Sequence, residues 1–461
     1  MFLEQPLPFI KDFVSQLDIS LKSTNKNFYL SRRQKYWLGF CLLAILVTNS
    51  VCWARFERTS LKHYTQAALS WMFRHSKIPW DKLLQSSIML VLKKFELTQG
   101  VLVLDDGDNP RSKNAQQIYR LHKIMDKKTG GYVLGQSFVL LLFVSDKITI
   151  PVGFQFYAPD PEIKKWEENE KKLKTQKVKK KDRPKKPEHS DDYPTKEMIA
   201  LNLLTRFSTD FPTIKIQAIL ADALYGTDNF LTKASAIFGK VQVITQLRKN
   251  QIIKHKNIDC DIENYFRTKP FYIKEIRLRG NLIKVSYCHE TVQVKAHGFK
   301  KRKIVALKYE GEEEYRYLVV NDSSWESETI IQTYSLRWLI EVFFQDWKSY
   351  EGWGQLTKHI GYEGSFQGVI LSLLLDHCLL FHPEQTAQIK DKQPVYTTGS
   401  LRENVIMESM VEFVKRLLED ENPKEKLKQF VEVAEDIFKP NFSSKHMNTV
   451  NLDFLNYKKA A

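Results

Sequence analysis

Cysteine is scarce in this sequence, and the cysteines that occur are scattered. They are Cys41, Cys52, Cys260, Cys288 and Cys378. None belongs to a C-x-x-C pair, and the eleven histidines show no ligand spacing with them. A disulfide framework or a zinc site needs cysteines in pairs or at short, regular spacings. We therefore expect reduced thiols, as in a cytoplasmic protein, and neither a zinc site nor a disulfide scaffold.

The sequence also lacks an uninterrupted apolar run of bilayer length. Segment 36–54, YWLGFCLLAILVTNSVCWA, comes close, but Thr48, Asn49 and Ser50 interrupt it and basic residues flank both ends. It has neither the one-sided charge of a membrane span nor the early position and cleavage site of a signal peptide. We expect a buried helix of an N-terminal helical domain and no membrane partner, with a membrane protein as the weakest alternative.

Acidic residues are outnumbered by basic ones. The chain has 54 Asp and Glu against 70 Lys and Arg, a formal net charge of +16 and a pI of about 9.3. Part of the excess lies in residues 163–188, where twelve basic residues face five acidic ones. This tract predicts a solvated, disordered loop, although disordered lysines still attract phosphate. A basic chain of this kind suits a polyanionic partner such as DNA.

Four polar residues of the run YSLRWLIEVFFQDWK share one side of a predicted helix. In a helix with about 100° of rotation per residue, an arc of roughly 60° contains all four residues: Tyr334, Arg337, Glu341 and Lys348. The opposite arc is apolar and would pack into a core, so an amphipathic surface helix is the simplest alternative. One carboxylate beside two cations and a phenol suits, instead, a site that binds a metal and a phosphate backbone.

Two further acidic positions lie where apolar, strand-like runs end. Asp105 and Asp106 follow the run 101–104 in VLVLDDGDN, and Asp222 follows a second run in IQAILADALYG. Each position alone is typical of a turn. Asp105, Asp222 and Glu341 are separated by 117 and 119 residues, so only a fold can gather them. Three convergent carboxylates require a cation, and Mg²⁺ prefers such oxygen ligands.

With the two aspartate segments preceding it, the pattern Y-x2-R-x3-E-x6-K resembles the YREK signature of a known family. The family is that of bacterial insertion-sequence transposases of the DDE type, in the insertion-sequence-four group, and the resemblance covers residues from about 95 to 365. It implies that Asp105, Asp222 and Glu341 form the catalytic, metal-binding triad and hold two Mg²⁺ ions, for which Mn²⁺ can substitute.

The same resemblance implies DNA contacts for the remaining polar residues of the signature. Tyr334, Arg337 and Lys348 would hold the DNA end, chiefly by its phosphates. Trp325, which stands just before the glutamate helix, is a further candidate for stacking on a flipped base. The implied partners are double-stranded DNA, as terminal inverted repeats and as target, and a second copy of the chain in a homodimer on DNA.

One departure from the family pattern affects the first metal ligand. The family often has Asp-x-Thr in its first motif, whereas this chain has Gly107 at the third position. Asp106 and Asp108 also lie close by, so more than one carboxylate is available. We choose Asp105 because it directly follows the apolar run, whereas Asp106 would point to the opposite side of a strand.

The order of predicted elements is that of an α/β protein with a ribonuclease H-like catalytic core. Strands are expected at 101–104, 132–144 and 148–157, followed by a helix and then by alternating strand and helix. A β-rich insertion interrupts the core before the catalytic helix, predicted at 326–350. The predicted regions are 1–95 (helical, DNA-end binding), 96–248 (first part of the core, with a basic loop at 163–190), 249–321 (insertion), 322–362 (catalytic helix completing the core) and 363–461 (helical, dimer contacts).

These features predict a DNA transposase that cleaves and joins strands at the ends of an insertion sequence by a cut-and-paste route. It would be located in the bacterial cytoplasm, associated with the nucleoid. Two alternatives stay open: a ribonuclease H-fold DNA nuclease without strand transfer, and a catalytically inactive DNA-binding remnant of a transposase.

Overall fold

One large mixed sheet with helices packed around it forms the fold, as seen in a computed structural model that describes residues 5–61, 63–111, 115–126, 130–256, 258–355 and 360–438. The helices are α1 (Pro8–Thr24), α2 (Arg32–Thr48), α3 (Trp53–Thr59), α4 (Gln66–His75), α5 (Trp80–Lys94), α6 (Pro161–Thr175), α7 (Lys196–Asp210), α8 (Asp228–Ile237), α9 (Ile262–Arg267), α10 (Ser327–Ser335), α11 (Trp338–Tyr350), α12 (Gly361–Leu379), α13 (Pro383–Lys390), α14 (Thr398–Leu418) and α15 (Pro423–Ile437). The strands are β1 (Gln99–Pro110), β2 (His122–Met125), β3 (Tyr132–Val144), β4 (Thr149–Tyr157), β5 (Lys215–Ala221), β6 (Gln242–Leu247), β7 (Ile252–His255), β8 (Ile258–Asp261), β9 (Tyr272–Leu278), β10 (Asn281–Val294), β11 (Lys300–Tyr309) and β12 (Arg316–Val320).

Five of these strands form a core with the ribonuclease H-like order β4–β3–β1–β5–β6. Strand β3 pairs antiparallel with β4 and with β1, whereas β1–β5 and β5–β6 are parallel. Every residue of β3 from Gly135 to Val144 is buried, because helices such as α7 cover the sheet. The topology confirms the predicted fold class, and the strand predicted at 132–144 is confirmed residue for residue.

The β-rich insertion lies in the same sheet as the core. Strand β12 pairs antiparallel with β6, and β11, β10, β7 and β8 continue outward from it, while β9 pairs with β10. Burial alternates along part of β10, as in a strand with one packed face, whereas β11 is buried continuously from Ile304 to Leu307. The predicted insertion is therefore a sheet extension, joined to the core by regular strand pairing.

Helices from the two ends of the chain pack together on the core. Ser87 of α5 hydrogen-bonds His377 of α12 through Nδ1 at 2.7 Å, and His377 Nε2 lies 2.9 Å from the Pro151 carbonyl oxygen of β4. Arg402 of α14 donates to the carbonyl oxygen of Leu46 in α2 at 2.6 Å. These contacts join regions that the sequence order separates by some 300 residues.

The apolar segment 36–54 is not one continuous helix. Helix α2 is buried along almost its whole apolar length, as predicted, and Asn49 ends it in a left-handed conformation. Within the described part of the chain, no single helix is long and apolar enough to cross a bilayer. Two pairs, α2 with α3 and α12 with α13, reach that length and composition only together, across bends of 92° and 61°.

The basic tract is more ordered than predicted. Its first half forms α6, where Asp160 caps the helix by accepting from the backbone N–H groups of Glu162 and Ile163. Arg183 then folds back to Glu170 at 2.9 Å, and the Trp166 indole donates to the carbonyl oxygen of Pro184 at 2.9 Å. The prediction of a disordered loop at 163–188 was wrong, because Asp160 caps α6 and the contacts of Arg183 and Trp166 hold the tract against itself.

Candidate active site

The register of two parallel strands brings the predicted aspartates together. Leu104 of β1 pairs with Ala221 of β5, and this pairing is the last between the two strands, so Asp105 and Asp222 follow side by side. Strand β1 itself continues to Pro110, paired only with β3. The predicted end of β1 at residue 104 was therefore wrong: the site lies where β5 ends and leaves one edge of β1 open.

Three carboxylates converge at this open edge. One oxygen from each of Asp105, Asp106 and Asp222 lies within 4.8 Å of the other two. The backbone N–H of Asp106 also donates to Asp105 Oδ1 at 2.8 Å. Strand alternation made Asp106 the less expected ligand, but the edge of β1 is open here, and an oxygen of each of these two aspartates comes close to Asp222. The structure thus supplies two candidates for the first ligand.

Burial and mutual repulsion make this cluster electrostatically costly. Burial, together with the charge of Asp222, raises the pKa of Asp105 to about 7. Burial also raises the pKa of Asp222, with a further contribution from Asp106. Partly buried oxygen ligands at this separation match the preference of divalent cations such as Mg²⁺ and Mn²⁺, which would offset the repulsion. The donor set therefore fits a divalent metal.

Glu341 lies beside this cluster and is joined to it through an arginine. Arg337 contacts Asp105 Oδ2 through Nη1 at 3.2 Å and forms a second ion pair, through Nη2, with Glu341. Half of the Glu341 side chain is exposed, against 16% for Asp105. Among the described residues, the carboxylates close enough together to hold a metal ion are those of the three aspartates, without that of Glu341. The structure thus brings together two members of the predicted triad, with the third linked by Arg337.

The predicted catalytic helix is broken at its centre. Leu336 and Arg337 separate α10 from α11, and the Arg337 backbone N–H bonds to the carbonyl oxygen of Tyr334, three residues back, at 3.0 Å. The assumption of one regular helix at 326–350 was therefore wrong, and Tyr334 and Glu341 belong to different helices. The tighter turn positions Arg337 at the start of α11, between Asp105 and Glu341.

Tyr334 faces the core. Its side chain is buried, and its hydroxyl lies 3.4 Å from the carbonyl oxygen of Ala221 and 3.5 Å from Gln246 Oε1. Burial raises the pKa of this phenol above its usual value. Tyr334 thus contacts the end of β5 immediately before Asp222, and its contact with a DNA phosphate stays a prediction.

Lys348 and Trp325 lie farther from the cluster. Lys348, on α11, donates to the backbone carbonyl oxygen of Asp108 at 3.1 Å, so it reaches the strand that carries Asp105. Trp325 is half-buried against the core, and its carbonyl oxygen accepts from Lys303 Nζ at 2.5 Å. The DNA contacts assigned to these two residues stay predictions.

Sequence reasoning missed one functional candidate, Lys196. Its ammonium lies 2.5 Å from Asp106 Oδ2, in the acidic cluster. Lys196 is the first residue of α7 and lies 90 residues from Asp106 in sequence. No motif marks it: it follows a tract rich in lysines, and only its contact with Asp106, made from a helix that packs on β3 and β4, distinguishes it from them.

Comparison with known families places these residues in a recognised context. The model described as "DDE superfamily endonuclease" matches residues 55–261, and the model described as "Transposase DDE domain" matches residues 188–375. Asp105 falls in the first match, Asp222 in both and Glu341 in the second. The chain therefore matches models of DDE-superfamily transposase domains over two overlapping stretches, and divalent metal ions are the general cofactors of enzymes with such domains.

Solved structures give more distant likenesses. A piggyBac transposase synaptic complex with hairpin DNA is 10% identical, over 98% of this chain and 88% of that chain, with a TM-score of 0.43. The NurA nuclease from Sulfolobus solfataricus is 9% identical over 51% of this chain and 72% of that chain, with a TM-score of 0.22. At these TM-scores neither likeness assigns a function or a site. No curated protein is significantly similar to the chain in sequence.

Proposed function

We propose that this protein is a DNA transposase that cleaves and joins DNA strands at the ends of a mobile element. One observation carries the proposal: inside the matched transposase domains, a ribonuclease H-like sheet brings Asp105, Asp106 and Asp222 to the open edge of β1. An acidic cluster at this position suits in-line attack on a phosphodiester. We include the YREK subfamily and the cut-and-paste route in the proposal, on the resemblance of the Tyr334–Lys348 pattern.

The chemistry has two steps at one site. Water attacks the phosphodiester at the element's end, which leaves a free 3′-hydroxyl and a 5′-phosphate. That hydroxyl then attacks a phosphodiester of the opposite strand or of target DNA, and a new P–O bond replaces the broken one. Divalent ions bound at the cluster, Mg²⁺ in the proposal, would supply activation of the attacking oxygen and stabilisation of the leaving oxygen.

The residues of the site divide this work between binding metal and binding phosphate. Asp105 and Asp222, with Glu341 from α11, would hold the metal ions, and Asp106 offers a further ligand. Arg337 neutralises carboxylate charge through its contacts with Asp105 and Glu341. Its planar guanidinium can also donate two parallel hydrogen bonds to a phosphate. In the proposal, a bound DNA phosphate replaces Glu341 as a partner of the Arg337 guanidinium. Glu341 can then turn toward the aspartate cluster.

The rest of the molecule would hold DNA by charge. The net charge of +16 is spread over the chain, with a concentration in α6 and the residues after it. In the proposal the N-terminal helices bind the element's ends and the C-terminal helices contribute to a homodimer, since two ends are cut together. A bacterial cytoplasmic location beside the nucleoid belongs to the same proposal.

The test is a cleavage and strand-transfer assay in Mg²⁺, with the DNA that flanks the gene as substrate. Asp222→Asn is the informative variant, because asparagine keeps an oxygen for the Leu224 backbone N–H while losing the charge. Asp146→Asn, at an exposed turn between β3 and β4, is the matched control. We expect wild type and the control to produce cleaved and joined DNA, and Asp222→Asn to lose both by a factor of at least about 10².

The assay also separates the alternatives. Cleavage without joined products, even with target DNA supplied, would replace the transposase with a nuclease. DNA binding that weakens steeply with salt, without cleavage by any of the three proteins, would identify an inactive remnant.

A further inference from the structure

A lysine ammonium is built into the acidic cluster from a helix that the metal-binding motifs do not include. Lys196 Nζ lies 2.5 Å from Asp106 Oδ2, and only about a fifth of each side chain is exposed, 22% for Lys196 and 20% for Asp106. Exposed ion pairs contribute little because water screens them, whereas pairs sheltered to this degree interact more strongly. Lys196 therefore acts as a counter-ion of the cluster itself.

The position of Lys196 is fixed by its neighbours. The Thr195 side chain caps α7 by accepting from the Met198 backbone N–H. Glu197 accepts from the Thr227 hydroxyl at 2.8 Å and from Asn229, which ties the start of α7 to the segment following Asp222. The ammonium also lies 5.1 Å from the centre of the Tyr157 ring, a favourable cation–π distance. Lys196 is held at the cluster from several sides.

The charges around the cluster do not balance without a further cation. Four carboxylates, from Asp105, Asp106, Asp222 and Glu341, face two cations, Arg337 and Lys196. With all four carboxylates ionised, two negative charges are left over. In the described part of the chain, Asp222 has no ion pair and accepts only from the Leu224 backbone N–H, at 2.9 Å. A divalent cation next to Asp222 would neutralise this remaining charge.

We propose that Lys196 is a positioning residue that competes with divalent metal for Asp106 and so weakens metal binding before DNA arrives. The inference rests on the proposed function, because it assigns Lys196 a role at the same metal site. While the ammonium neutralises Asp106, a divalent ion gains less from this carboxylate. Neutral side chains at position 196 would leave Asp106 fully available, and the cluster would then hold metal more tightly.

The experiment measures Mn²⁺ binding to the full chain by isothermal titration calorimetry, without DNA. Lys196→Met removes the charge and keeps a long, unbranched side chain, and Lys196→Arg keeps the charge. Lys165→Met, on the exposed side of α6, controls for the loss of any one lysine. Removing a sheltered positive charge next to a divalent site should lower the Kd of Mn²⁺ about tenfold or more. Lys196→Arg and Lys165→Met should stay within about twofold of wild type.

An unchanged or weaker affinity in Lys196→Met would overturn the inference, since a lysine with only a structural role cannot improve metal binding when removed. Lys196→Gln provides the same test if methionine disturbs folding, which thermal unfolding reveals. Failure of the proposed function looks different: wild type would bind no Mn²⁺, or Asp222→Asn would bind it as tightly as wild type. Tighter binding by both neutral variants, with unchanged binding by the two controls, supports the role of Lys196.

Discussion

Gly107 shows how one residue of β1 depends on the strand beside it. Gly107 pairs with Phe138 of β3, and a Cβ at this position would lie 2.6 Å from Cζ of that ring. The threonine often found here in the resembling family would collide with it. Phe138 cannot easily move, because it packs edge-on against Trp347 and Trp353, with ring centres 5.4 and 5.1 Å away. The departure from the family pattern therefore follows from packing.

The first prediction concerns this contact. We expect Gly107→Thr to lower the free energy of unfolding by about 1–3 kcal/mol, the usual cost of overpacking a filled core. Adding Phe138→Leu should recover part of the loss, because the smaller side chain leaves room for the new methyl and hydroxyl groups. Urea denaturation of the two variants, with Phe138→Leu alone as the control, measures both effects. Equal stability of Gly107→Thr and wild type would contradict the contact.

For single residues, the sequence predicted which aspartates would become neighbours better than it predicted how the side chains around them would be placed. Asp105 and Asp222 were predicted to be neighbours, and the Leu104–Ala221 register makes them so. Asp106 was set aside because neighbouring side chains of a strand alternate, but at the open edge of β1 an oxygen of each of the two aspartates comes close to Asp222. Lys196 could not be found, because only tertiary packing distinguishes it from the other lysines of the chain.

At the scale of elements, the two helices around the site were harder to predict than the strands. The bounds of β3, a long apolar run that becomes buried in the sheet, were predicted closely, whereas β1 extends well beyond its predicted end at residue 104. The break between α10 and α11 has no proline or glycine to announce it, and Leu336 and Arg337 keep helix-like backbone angles. Contacts of Tyr334 and Arg337 to other elements accompany the break, so local sequence could not predict it.

The second prediction concerns the contact of the last turn of α11 with α12. Glu351 is fully buried there, and burial, reinforced by Asp376 and Asp346, raises its pKa well above the usual value. Burial, with the charge of Asp346, raises the pKa of Asp376 to about 8. A carboxyl group whose folded-state pKa lies above its unfolded value of 3.8 stabilises the fold less and less as pH rises from about 4 to about 8.

Asp376→Asn should remove the part of this pH dependence that Asp376 contributes. The free energy of unfolding of wild type is expected to fall relative to the variant by up to about 1 kcal/mol per pH unit between pH 5 and 8. Urea denaturation of both proteins at pH 5, 6.5 and 8 tests this. Asp146→Asn, which changes an exposed carboxylate, should follow wild type throughout. Parallel stability profiles of wild type and Asp376→Asn would show that Asp376 titrates normally.

At the scale of the whole molecule, the distribution of charge relates the fold to its proposed partner. The basic character of the chain follows directly from its composition. The ribonuclease H-like core and the interrupting β-rich segment could be predicted because strand order depends on local sequence patterns. It did not predict that the insertion would extend the core sheet through the β6–β12 pair, or that helices from both termini would pack together. Such long-range pairings depend on complementary surfaces that a single sequence does not reveal.

The third prediction follows from the exposed lysines after α6. Lys179, Lys180 and Lys181 are all exposed, and we expect them to contact DNA phosphates without sequence preference. Replacing all three with glutamine should reduce the slope of log K against log salt by up to about 3, because each phosphate contact contributes about 0.9. Fluorescence anisotropy with random duplex DNA at several salt concentrations measures the slope.

The matched control for that measurement replaces three exposed lysines elsewhere, Lys392, Lys424 and Lys428. Both triple variants lose the same net charge. If the control reduces the slope as much as the first variant, overall charge governs DNA binding and the tract after α6 has no special role.

The most direct test of the account is the position of metal in crystals of the full chain soaked in Mn²⁺ and measured at the manganese absorption edge. We predict an anomalous difference peak between the carboxylates of Asp105 and Asp222, at the edge of β1 where β5 ends. The peak should be absent from Asp222→Asn crystals treated in the same way. Manganese bound only elsewhere, or equally in wild type and in Asp222→Asn, would contradict the claim that this sheet edge is the metal site of a transposase.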